Sequence, residues 1–167
     1  VRPNGTIGIV RGNDTNEFTL DGLCYPSRSA NVNDIDFNIP EVAYFVKVEN
    51  RGQPLSLAEI EVFDESNKLI SKGKQTSQST THSGGRSSRA VDGKKDGHWS
   101  KKGVTHTKAG KVNWIKVDLG GGTRVGKVIL HNRLDCCGER IAGAKVTLLN
   151  GDEEEIISQI WDKKAYK

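Results

Sequence analysis

Asn113-Trp114-Ile115-Lys116-Val117-Asp118-Leu119, followed at once by Gly120-Gly121-Gly122, is the stretch from which the fold can be read. Ile115, Val117 and Leu119 fall on one side of an extended chain, and Trp114, Lys116 and Asp118 on the other. A period of two with a glycine stop is the signature of a half-buried β-strand. Working outward, the pattern recurs. Val42, Tyr44, Val46 and Val48 alternate with Ala43, Phe45, Lys47 and Glu49. Leu57–Phe63 places Ala58, Ile60 and Val62 on one face, and Val125–Asn132, Ala142–Leu149 and Glu155–Trp161 add three more strands. The joins, Asn50-Arg51-Gly52 and Asn150-Gly151-Asp152, carry turn residues, and Asn-Gly between strands predicts a hairpin. Many short strands with such joins predict an all-β fold, a jelly-roll β-sandwich.

Composition agrees. The chain has 167 residues, enough for one domain with its own core. No long Ala/Glu/Lys/Leu run supports a helical bundle, and no apolar run approaches the roughly 20 residues of a membrane-spanning helix. The beginning lacks the basic and apolar regions of a signal peptide, as expected of a mature form or a piece of a longer chain. The net charge of +4 is too small and too little interleaved with aromatics for a nucleic-acid footprint, but it tolerates an acidic glycan.

Two stretches depart from the pattern. Residues 1–40 hold scattered apolar residues, with a strand expected near Glu17–Leu20. Residues 71–112 are nearly devoid of aliphatics, so they read as a long functional loop or a disordered one. Val91, Trp99 and Val104 are spaced to pin that segment to a core.

Three cysteines leave an odd thiol: Cys24 and the adjacent Cys136 and Cys137. Neighbouring Cα atoms lie about 3.8 Å apart, closer than in most disulfides, so spacing leaves open a strained ring, two free thiols, or Cys24 bonded to one of them. Asn4-Gly5-Thr6 and Asn13-Asp14-Thr15 are glycosylation sequons, which fit a secreted protein.

The cysteine pair sits inside His131-Asn132-Arg133-Leu134-Asp135-Cys136-Cys137-Gly138-Glu139-Arg140. Two arginines flank a carboxylate that can orient one guanidinium and leave its other donors facing outward. Taken alone, such a group is more often a surface salt-bridge cluster. Arg133-x-Asp135-x4-Arg140, with His106 ahead of it by 26 intervening residues, resembles the motif of the F-type lectin (fucolectin) family. Gly73–Ser79, Ser88-Arg89-Ala90-Val91-Asp92-Gly93, Val104–Thr107, Trp114–Leu119 and Leu55–Phe63 are similar to the same family, over about residues 41–150.

That resemblance implies a galactose-binding-domain-like (discoidin-type) jelly roll that binds L-fucose-type glycans without catalysis, in a secreted or cell-surface protein, multivalent through its parent. It implies that His106, Arg133 and Arg140 donate hydrogen bonds to the sugar, that Asp135 orients an arginine, and that a Cys136–Cys137 disulfide packs against the sugar's apolar patch. Trp99 and His82 would stand at the rim, Trp99 either stacking on the sugar or pinning its loop. His131 reads as structural. The family also implies a structural Ca2+, with side-chain ligands at Glu59 and Asp92 and backbone carbonyls at Arg89, Lys94, Gly103 and Ala58. Arg89, Lys94 and Gly103 depart from the Asn, Asn and Ser usual there.

The order of segments departs too. The stretch Tyr44–Phe63 resembles the one that normally closes this domain, yet here it comes first. One domain over 1–167 in a circularly permuted strand order, with 1–63 supplying the usual closing strands, is the expected arrangement; a cut across tandem domains is the other. A different class of function also fits, a structural or adhesive module of an extracellular assembly that docks acidic polysaccharide or protein through Lys94, Lys95, Lys101 and Lys102. No Ser-His-Asp order, HExxH or phosphate loop predicts an enzyme, and Asp152–Glu155 reads as a solvated hairpin edge.

Overall fold

The computed structural model describes residues 6–11, 14–19 and 41–160. Nine strands occur there: β1 (Thr6–Arg11), β2 (Asp14–Thr19), β3 (Ala43–Arg51), β4 (Leu57–Asp64), β5 (Thr76–Gln78), β6 (Val112–Thr123), β7 (Val125–Asn132), β8 (Lys145–Leu149) and β9 (Glu155–Ile160). They form a four-stranded sheet, β2-β1-β7-β4, and a five-stranded sheet, β5-β6-β3-β8-β9. Neighbours are antiparallel except β1 and β7, which run parallel.

The strand alternation does what its period dictates. Val46, Val48, Ile115 and Val117 of one sheet face Ile60, Val62, Val128 and Leu130 of the other, and all are fully buried. The outward partners Phe45, Lys47, Trp114 and Lys116 stay half-buried. Three details differ from the sequence reading. A register shift between Ala43 and Phe45 turns Tyr44 outward and buries Ala43. An irregularity in the β4–β7 register between Leu57 and Glu59 puts Leu57, in place of Ala58, into the core beside Ile60 and Val62. β8 begins only at Lys145, because Gly143 takes a left-handed φ of 80° and breaks the run from Ala142.

The expected Asn150-Gly151 hairpin is present, but its turn is longer than two residues. The Asn150 side chain accepts the N–H groups of Asp152 and Glu154, and Glu153 takes the positive φ. The charge run beyond it lies on the hairpin edge, with Glu153 on Lys116 and Glu155 on Lys145. The aliphatic-poor segment is folded. It contributes β5 and two 3-10 turns, Ser87–Val91 and Trp99–Lys101, and is anchored by buried Ala90, Val91 and Val104.

β3 and β4 pack in the same sandwich as β5 to β9, β3 between β6 and β8, and β4 along β7. The ends of β3, β5 and β7 and the starts of β4, β6 and β8 gather at one end of the sandwich, as the registers Arg51↔Val112 and Leu57↔Asn132 require. The loops that carry the chemistry all leave from there. Cys24, Asn4 and Asn13 lie outside the described residues.

Candidate functional site

His106 is placed by its neighbours. Residues 104–107 run beside 55–57, with the Thr105 and Thr107 N–H groups on the Leu57 and Leu55 carbonyls at 2.8 and 3.0 Å. The two threonine hydroxyls accept the N–H groups of Leu57 and Leu55, so both threonines are wholly buried. In an extended chain that turns the intervening His106 to the opposite side. There its backbone N–H donates to the Gly85 carbonyl at 2.8 Å. A Cβ on Gly85 would lie 2.6 Å from that nitrogen, so glycine permits the approach.

The loop after β7 is held from below. Asn132 donates to the Gly138 carbonyl at 2.8 Å, and Asn50 at the end of β3 donates to the Arg140 carbonyl. Cys136 and Cys137 are bonded to each other, with Cα atoms 3.8 Å apart and Cys137 in the left-handed region. Of the three pairings that spacing left open, the adjacent one is realised. Cys136 is exposed, and the 3-10 turn Gly138–Ile141 that follows carries Arg140.

Asp135 ties the two loops together. It accepts from Arg133 Nε at 2.6 Å and from the Trp99 backbone N–H at 3.0 Å. The Arg133 guanidinium beside it holds its carboxyl well below the usual carboxylate range, at about 2. Asp135 thus lies against the Arg133 guanidinium and fixes the Trp99 loop to it. The Trp99 and His106 rings meet nearly at right angles, centroids 5.6 Å apart, and Trp99 carries Arg133 at 5.5 Å and Arg89 at 5.7 Å from its ring. Such guanidinium–indole contacts contribute about 0.5–2 kcal/mol each. Trp99 therefore serves as a platform for two arginines, and Val91 and Val104 do the pinning. His82 sits at the rim, 4.9 Å from the His106 ring and exposed, its N–H on the His106 carbonyl.

Burial is the main cause that lowers the His106 pKa below its ordinary 6.5, and the charges of His82, Arg133 and Arg140 lower it further. The charges of both arginines act on the ring, and Arg133 shares the Trp99 ring with it. Its Nδ1 donates to the Thr107 carbonyl at 2.6 Å. A neutral imidazole with its proton on Nδ1 offers an accepting Nε2. The resemblance cast His106 as a donor; the geometry gives an acceptor flanked by guanidinium donors.

The residues expected around a cation lie nearby. Glu59 is buried, and burial is the main cause that raises its carboxyl to about 7. Its Oε1 accepts the Gly93 N–H at 2.9 Å, and the charge of Asp92 lies close. Its Oε2 has no hydrogen-bond partner among the described residues. An orphaned buried carboxylate oxygen next to a second acid fits a cation of the calcium type. No cluster of three His, Cys, Asp or Glu occurs among the described residues, so the remaining donors would be carbonyls. Ala58 is fully buried and Lys94 is exposed with its N–H on Asp92. A Cβ at Gly103 would fall 1.8 Å from the Asp96 carbonyl, which explains why serine is absent there. The Arg89 side chain turns away, donating to the Val104 carbonyl at 3.0 Å.

Several contributors were not anticipated: Arg89 on Trp99, Gly85 under His106, and Asn50 beneath the arginine loop. The Thr-His-Thr alternation inside a polar loop was the available signal for an outward histidine. His131 is structural as expected, donating to Glu61 at 2.7 Å in a buried pair that Lys95 joins at 2.9 Å. Lys101 is likewise bound to Asp96. Two of the four lysines invoked for acidic docking are thereby neutralised.

Residues 89–165 match the NedA-like, galactose-binding domain family. The chain is 41% identical to fucolectin-6 of Anguilla japonica over 61 residues, 36% of the chain and 33% of the relative. It is 34% identical to fucolectin-1 of the same eel over 116 residues, 64% of the chain and 65% of the relative. These matches make the chain similar to fucolectin-type, galactose-binding-like domains. That class is a non-catalytic binding module. A Xenopus laevis pentraxin fusion protein is 33% identical over 66 residues, 40% of the chain and 16% of the relative. The matches span between a third and two thirds of the fucolectins' own length. No solved structure matches the chain. No helix among the described residues is long and apolar enough to cross a membrane.

Proposed function

We propose that this chain is a carbohydrate-recognition module for L-fucose-type sugars. The observation that carries the reading is the convergence of a neutral, accepting His106 with the guanidinium groups of Arg133 and Arg140. A sugar hydroxyl both donates and accepts. One that accepts from an arginine and donates to His106 Nε2 satisfies every partner, and charge-assisted bonds of this kind contribute about 1.5–3 kcal/mol each. The exposed Cys136–Cys137 ring offers an apolar surface beside those donors, which suits a sugar bearing a methyl group in place of a hydroxyl. The fucolectin relatives support the same choice.

Calcium belongs to this proposal as a structural ion. Glu59 and Asp92 would hold it through their side chains, and Arg89, Lys94, Gly103 and Ala58 through their carbonyls. When bound it supplies the positive charge that an orphaned, buried Glu59 oxygen calls for. The module is read as one domain in permuted strand order, since β4 brings Glu59 to Gly93 within a single sandwich. A disulfide fits an oxidising compartment, so a secreted or cell-surface host is proposed, with avidity arising from multiple copies.

A glycan array with and without a chelator tests this. Terminal L-fucose glycans should be retained, and R133A/R140A should lose them. Retention unchanged in that double variant would refute the sugar site.

A further inference from the structure

Of the cations near the His106–Trp99 cluster, Arg133 is tied to Asp135 and Lys101 to Asp96, while Lys116 and Lys145 pair with carboxylates on the outer face of the five-stranded sheet. Arg86, Lys102 and Lys108 are exposed and form no ion pair with any described residue. Each is tied by the backbone to the sugar-facing cluster. Arg86 follows Gly85, whose carbonyl takes the His106 N–H at 2.8 Å. Lys108 stands two residues beyond His106, its N–H on Thr80 Oγ1 at 2.9 Å, and Gln78 donates to the Thr80 and Gly85 carbonyls, knitting that strip to the Gly85 loop. Lys102 closes the Trp99 turn, its N–H on the Trp99 carbonyl at 2.9 Å and its φ at 57°. The loops that position His106 and Trp99 therefore also carry three exposed cations without an ion-pair partner among the described residues.

We infer that the preferred ligand is an anionic fucosylated glycan, with a sulfate ester or sugar carboxylate on the residue adjoining the fucose. The inference rests on the fucose reading and adds a substituent to it. A neutral monosaccharide has no use for these cations, because they lie outside the three-residue cluster that would grip it. An adjoining sugar extends over the rim, where an anion meets Arg86, Lys102 or Lys108. Such surface charges act weakly one by one but together, and they yield to salt.

The test titrates the chain with three ligands: a neutral fucosylated trisaccharide, its sulfated counterpart and its sialylated counterpart. Titrations are run in low salt and in about 1 M salt, where screening is nearly complete. The inference requires an anionic ligand to bind about tenfold tighter than the neutral one in low salt. The advantage must vanish in high salt and in R86Q/K102Q/K108Q, while that variant holds the neutral trisaccharide as the wild type does. Which anionic ligand gains identifies sulfate or carboxylate as the source. Equal affinity for neutral and anionic ligands, or an advantage that survives the triple variant, would overturn the inference and leave the fucose reading standing. Failure of all three ligands to bind would overturn both.

Discussion

At the scale of single residues, the chemistry turns on which atoms carry protons. His106 is held neutral with its proton on Nδ1, because burial and the charges of Arg133 and Arg140 disfavour a charge there. Sugar affinity should therefore be level above about pH 7. It should fall as the pH drops through the folded-state pKa of His106, which lies below 6.5, since protonation converts the accepting nitrogen into a donor. Calorimetric titrations across pH check this, and H106A should remove the dependence along with most of the binding. Asp135 titrates in the opposite sense. Its carboxyl is depressed to about 2 by Arg133, so the ion pair is complete above the ordinary carboxylate range and is lost only as the pH falls toward 2. Carbonyl-carbon NMR should find that low midpoint, and R133A should return it to near 3.8. The identity of these residues was legible in the sequence. The hydrogen-bonding sense of His106 was not, because it depends on a backbone carbonyl that only the fold presents.

At the scale of elements, the period-two strands were legible because alternation reports burial directly: Ile115, Val117, Val46 and Val48 read as core and are core. The loops were legible only in part. Glycines in them read as generic breakers, whereas Gly85 is specifically the clearance under His106. G85A should push His106 away from the arginines and weaken sugar binding at least tenfold, and it should also lower the thermal midpoint, because the added Cβ meets the His106 backbone. Calorimetry and a melting curve on the same sample separate those effects. The shift in β4 register at Glu59 was likewise invisible, since a bulge depends on cross-strand pairing and not on the strand's own composition. The proposed ion sits where β4 meets the Asp92-Gly93 loop, and a ligand bound only to the folded state stabilises it by mass action. A chelator should lower the melting temperature of the wild type, by an amount corresponding to about 3 kcal/mol when calcium stands at 100 times its dissociation constant. It should leave E59Q unaffected.

At the scale of the whole molecule, the question is whether β3 and β4 belong to the same cooperative unit as β5 to β9. They contribute Val46, Val48, Ile60 and Val62 to one core with Ile115, Val117, Val128 and Leu130. A shared core unfolds as one. Calorimetric and van 't Hoff enthalpies should agree for a single transition, and I60A, truncating a fully buried side chain of β4, should shift the entire transition at a cost of about 2–5 kcal/mol. Two resolved transitions, with only one moved by I60A, would divide the chain. The sequence order alone could not decide this, because a sandwich built from non-consecutive neighbours such as β3 between β6 and β8 can be closed in more than one chain order.

The central claim is that one imidazole and two guanidinium groups form a single sugar-binding site. Titrating L-fucose while following the side-chain resonances of His106, Arg133 and Arg140 addresses it most directly. The three should shift together along one saturable curve, with the proton remaining on His106 Nδ1. Resonances that stay still at saturating fucose, or that move with different midpoints, would contradict it.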